Sequence, residues 1–131
     1  MVKLEVELLK YDTVKDSGRI YTKEIALNII EQFKKTPEPF FGELDEDQTT
    51  EIVNLHNVSH RITEMKLNED TKTIIGTIEI LDTPKGRDLE KLIDNGVHSY
   101  DMQPRGCGFV DDKTNEVYNY DFITFDIVPR K

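Results

Sequence analysis

Asn68-Glu69-Asp70-Thr71-Lys72-Thr73-Ile74-Ile75-Gly76-Thr77-Ile78-Glu79-Ile80-Leu81 is the stretch that decides how this chain folds. Asn68, Glu69 and Asp70 form a turn signal, and residues 73–81 are dense in Ile and Thr, types that suit a pleated surface. Upstream, residues 53–66 fit two periods, with Val58 and Ile62 satisfying either; their Val, Ile and Thr content favours a strand. Two strands joined by so short a turn pair antiparallel.

Outward from this hairpin, both ends continue the theme. Val2, Leu4, Val6 and Leu8 alternate with Lys3, Glu5 and Glu7, the period of a half-buried strand. Asp16-Ser17-Gly18 marks a turn, and Thr22 then caps a helix that buries Ile25, Ala26, Ile29, Ile30 and Phe33. Pro37 and Pro39 end that helix near Lys35. Residues 43–51 are acidic and read as a loop. Thr83 caps a short second helix with Pro84 at its first position, Leu89, Leu92 and Ile93 on its buried face, and Gly96 as a left-handed stop. Residues 106–110, a turn at Asp111-Asp112-Lys113 and a strand over 117–128 complete the chain. The expected fold is α+β: a mostly antiparallel sheet or small β-barrel flanked by two or three helices, forming a single domain across residues 1–131.

Composition narrows the function. The 131 residues carry 17 Lys and Arg against 26 Asp and Glu, a formal charge of −9. This argues against binding a nucleic-acid backbone or an anionic membrane and suits a positively charged partner. One cysteine, Cys107, leaves no intrachain disulfide. The N-terminus is charged at every second residue and lacks the apolar core of a signal peptide. A soluble intracellular or virion protein is expected.

The groups able to do chemistry have plain alternatives. His56 and His60 are spaced like two zinc ligands on a helix, but in a strand that separation is about 13 Å. No metal is expected there. Asp45-Glu46-Asp47 with Glu51 lacks the glycine and the final glutamate of a calcium loop, with Thr50 and His56 in those places. Cys107 between Gly106 and Gly108 reads as a small buried hydrophobe. His98 and Ser99 are neighbours, which in a strand point to opposite faces. No phosphate loop or dinucleotide fingerprint occurs, and no cofactor is expected.

Four ordered segments resemble the prohead (capsid maturation) proteases of tailed bacteriophages, serine peptidases of the herpesvirus-assemblin type. Ser17-Gly18-Arg19-Ile20-Tyr21-Thr22-Lys23-Glu24 is similar to the family's N-x-R-x-Y-P-K-x before its first helix. Phe41-Gly42-Glu43-Leu44-Asp45 resembles G-E-L-(D/N)-H-P and is followed by Val58-Ser59-His60-Arg61-Ile62. Residues 76–86, 89–92 and 95–97 form the third segment. Arg105-Gly106-Cys107-Gly108 is similar to the S-S-R-G-x-G that carries the family's nucleophile, and Phe125-Asp126-Ile127-Val128 resembles its late D-x-V strand. The resemblance runs over residues 15–128.

The departures carry the functional expectation. Where the family has its histidine this chain has Glu46, followed by Asp47 in place of proline, and the serine pair is replaced by Gln103 and Pro104. Glu46 cannot act as a neutral imidazole, and neither Gln103 nor Pro104 can form an acyl-enzyme. Only Asp126 keeps a matching type. The link over residues 98–104 is longer than the family's, which implies a rebuilt oxyanion region. The resemblance therefore implies no enzyme but a non-enzymatic phage structural protein, a capsid decoration, cement or head-assembly protein. Its expected partner is the major capsid protein, with self-association also open, and its expected location is the virion capsid and, during assembly, the host cytoplasm. Phe40, Tyr100, Tyr118 and Tyr120 are candidate interface residues. Two other readings stay open: an active endopeptidase with relocated groups (Ser99, His60 and Asp126), and a regulatory interaction protein acting during infection.

Overall fold

The computed structural model describes residues 2–15, 17–44, 53–96 and 100–129. Four strands form one antiparallel sheet in the order β1 (Lys3–Lys10), β4 (Thr73–Ile80), β3 (Val58–Asn68) and β2 (Phe40–Glu43). Strands β5 (Tyr100–Val110) and β6 (Val117–Pro129) form a second, hairpin sheet. A parallel bridge from Leu44 to Ile127 joins β2 to β6, and β5 lies against β1 on the other side. The six strands thus wrap toward a small barrel around Leu8, Ile62, Ile74, Ile78, Phe125 and Ile127, all at most 4% exposed. The expected α+β fold is the one observed.

Irregularities in the ladders determine which side chains enter this interior. An extra residue turns a strand's face over. Leu8 is the extra residue of β1 against β4, so Leu8 and Leu9 are both buried although they are adjacent. Strand β6 has 13 residues against 11 in β5, and two register shifts absorb the difference. Ser59 is the extra residue of β3 against β2, so Val58, Ser59 and His60 are buried in succession.

Helix α1 (Lys23–Lys35) begins where the Thr22 hydroxyl accepts the Ile25 N–H, carries Glu24 in its first turn and ends on Lys34 and Lys35. Ile25, Ala26, Ile29 and Ile30 are buried as expected; Phe33 is half-buried and begins a row of rings through Phe40 and Phe122 to Phe125, with centroids 5.2–5.3 Å apart. Helix α2 (Pro84–Asp94) is capped by Thr83, whose hydroxyl accepts the Gly86 N–H and donates to the Val58 carbonyl. Only Leu89 of its three expected apolar contacts is fully buried. Leu92 is 40% exposed; the contacts of α2 are with β3, β4 and the turn at residues 55–57.

Three further expectations are corrected. Residues 55–57 form a single 3-10 turn before β3. Glu43, expected in a loop, is a fully buried member of β2, a strand whose four residues are too few to show a period. Strand β5 starts at Tyr100, so residues 100–104 are paired strand.

Candidate functional site

The bulge at Ser59 brings two neighbouring side chains together that a regular strand would hold apart. Ser59 Oγ lies 2.7 Å from His60 Nδ1, and His60 Nε2 lies 2.9 Å from the Phe125 carbonyl oxygen. A carbonyl only accepts, so Nε2 carries the proton and Nδ1 accepts from the Ser59 hydroxyl. Burial pushes the His60 pKa down to about 4, against a smaller opposing pull from the Phe125 carbonyl, and the imidazole is neutral at pH 7. Gly42 on β2 is the residue that admits this ring: it stands directly across the ladder from His60.

One layer away, Arg105 of β5 reaches inward between two carboxylates. Its Nε is 2.9 Å from Asp126 Oδ2 and its Nη1 is 2.6 Å from Glu43 Oε2, with all three side chains at most 1% exposed. The backbone N–H of Glu43 donates to Asp126 Oδ1 at 2.9 Å. Charges this deep persist only when paired, because each loses its hydration. Arg105 is thus the electrostatic pin that holds β2 and β6 to β5.

A hydroxyl, an imidazole and two carboxylates therefore share the barrel interior. The two nitrogens of His60 face Ser59 and the Phe125 carbonyl, and the contacts of Asp126 include Arg105 and the Glu43 N–H. A base needs a proton to take from a substrate-facing group, and Ser59 is 0% exposed. The arrangement crosslinks β2, β3, β5 and β6.

The expected site residues distribute as follows. Gln103 and Pro104 are half-buried in β5, and Gln103 stands directly opposite Asp126 in the β5–β6 ladder. Asp126 is interior. Glu46, His98 and Ser99 lie outside the described residues. His56 sits exposed in the 3-10 turn, apart from interior His60. Among the described residues no group of three or more His, Cys, Asp or Glu is placed to hold a metal ion.

Of the four candidate interface aromatics, Tyr118 is 45% exposed, while Phe40 and Tyr100 are half-buried against the core. Tyr120 is a correction: it is 6% exposed, packed edge-on against Tyr21 with centroids 5.7 Å apart, because the bulge before it turns the ring inward. The Ser59–His60 pair and the Glu43–Arg105–Asp126 cluster were not predicted as units. The one sequence signal for them was a set of polar residues inside apolar strands.

The sequence matches no known protein-family model and no curated protein. Among solved structures the chain is similar to the bacteriophage T4 capsid assembly protease, gp21, with a TM-score of 0.83 and 19% sequence identity over 96% of this chain and 80% of that one. The fold is prohead-protease-like, and no helix among the described residues is long and apolar enough to cross a membrane.

Proposed function

We propose that this chain is a non-catalytic head protein of a tailed phage: a protease-like framework that binds the capsid shell as a decoration, cement or head-assembly protein. The observation that carries this reading is the pairing of Gln103 with Asp126. Within a fold shared with a capsid assembly protease, the segment similar to the nucleophile motif offers an amide and a proline where a hydroxyl is needed, and the carboxylate opposite is bound to Arg105. Neither group can open an acyl bond. The major capsid protein is the partner, and −9 of net charge favours a basic patch on the shell. The site of action is the virion capsid, reached through the host cytoplasm.

Quantitative mass spectrometry of purified proheads and virions tests the reading. The chain is expected at a fixed ratio to the major capsid protein in one or both; absence from both overturns it. A fluorophosphonate probe tests the competing protease reading with Ser99, His60 and Asp126. No serine is expected to be labelled, and labelling of Ser99 reverses the assignment.

A further inference from the structure

We infer that the outer face of the β5–β6 hairpin, centred on Phe109 and Tyr118, docks an arginine-bearing extended segment of a partner protein. The two residues are cross-strand partners whose rings stack at 5.5 Å and 25°, yet they remain 60% and 45% exposed. Val117 and Tyr120, on the inward side of the same hairpin, are buried. Stacking steadies the hairpin, but leaves Phe109 60% exposed. Exposed aromatic pairs of this kind mark contact sites more often than isolated apolar residues do.

The face is also pre-shaped. The Asp111 carboxylate accepts the N–H groups of Lys113 and Thr114, the Asn115 N–H donates to the Asp111 carbonyl, and Asn115 takes the left-handed φ of 61° that closes the turn. Asn119, at φ 49°, lies in the β6 bulge between Tyr118 and inward-facing Tyr120. A face fixed before binding loses little entropy on contact.

Charge selects the occupant. Among the described residues Asp111, Asp112, Glu116 and Asp121 of the hairpin are exposed, against Lys113 in its turn and Arg19 on the segment that bridges to Glu116, so carboxylates still outnumber cations there. The two N–H bonds hold the Asp111 carboxyl below the usual carboxylate range, so it stays ionised at neutral pH. A second copy would bring the same excess of carboxylates to the contact, and nucleic acid would bring phosphates; both repel. A guanidinium stacks on aromatic faces and pairs with carboxylates at once. The occupant's chemistry follows from the face itself and holds whether or not the partner is a capsid shell.

The test titrates the isotope-labelled full chain, followed by NMR, with an extended peptide of about twelve residues alternating Arg and Val. Parallel titrations replace Arg by citrulline or by Glu. Shifts are expected at Phe109, Tyr118, Asp112 and Glu116 with the Arg peptide, falling about tenfold or more in affinity with citrulline. Phe109→Ser/Tyr118→Ser and, separately, Asp112→Asn/Glu116→Gln are each expected to weaken binding while the remaining spectrum stays folded. Shifts centred elsewhere, equal binding of the citrulline peptide, or self-association through this face overturn the inference. Absence of the chain from phage particles would instead count against the capsid reading and leave this result standing.

Discussion

Gly42 faces His60 across the β2–β3 ladder so closely that a Cβ on Gly42 would stand 2.1 Å from His60 Nε2 and 2.3 Å from the Phe125 carbonyl oxygen. The interior hydrogen bond from His60 to Phe125 occupies the space a side chain would need. Gly42→Ala should therefore destabilise the fold by about 1–3 kcal/mol through overpacking, measured by urea unfolding. In a His60→Ala background the added cost should shrink, since one of the two clashing groups is gone. It should not vanish, because the Phe125 carbonyl remains.

His60 also sets a pH dependence. Its folded pKa of about 4 lies below the ordinary 6.5, so between these values the unfolded chain binds the proton and the folded chain does not. Stability is full above about pH 6.5 and is lost progressively as pH falls toward 4, by up to roughly 3 kcal/mol. Subtracting the unfolding curve of His60→Gln from that of the unchanged protein isolates this contribution. A difference that stays flat across the window would show that the imidazole is not kept neutral by burial.

Arg105 offers a sharper contrast. Arg105→Met leaves Glu43 and Asp126 facing each other without their cation, and should cost about 3–5 kcal/mol at neutral pH. The triple change Arg105→Met, Glu43→Gln, Asp126→Asn removes both negative charges as well. It should recover part of the loss, measured in the same denaturation experiment, and a triple variant no more stable than Arg105→Met would contradict the electrostatic account.

These residues show where sequence reading succeeds and where it stops. Thr22, Thr83 and Pro84 act through local bonds within a few residues, and the helices they begin were legible. The Ile-rich run of β4 was equally plain, because its period is carried by its own residues. Ser59 and Tyr120 were not legible: their orientation depends on a single extra residue in a ladder, which the strand's own sequence does not mark, and a period-2 reading carried past a bulge assigns the wrong face. The buried role of Glu43 was hidden for another reason. A carboxylate is placed in a core only by a cation, and Arg105 lies far along the sequence and meets it only in the folded barrel.

Gln32 provides the last prediction, and it joins α1 to the bulged hairpin. Its Nε2 donates to the Tyr120 carbonyl at 2.9 Å, and its Oε1 accepts the Phe122 N–H at 2.9 Å. The amide thus pairs with β6 as a neighbouring strand would, satisfying two backbone groups that flank Asp121. Gln32→Ala should cost about 1–2 kcal/mol, one ordinary hydrogen bond for each group. Gln32→Glu can still accept from Phe122 but sets a carboxylate oxygen against the Tyr120 carbonyl, which raises the folded pKa of the new Glu above its unfolded value of about 4.3. Its penalty should therefore be full at neutral pH and shrink as pH falls through that raised pKa and the acid regains a proton to donate. Unfolding of Gln32→Glu and Gln32→Ala at about pH 7 and about pH 4.5 decides the matter. The Glu variant should gain on the Ala variant in acid, and an unchanged gap would mean that the side-chain amide does not bridge Tyr120 and Phe122 in solution.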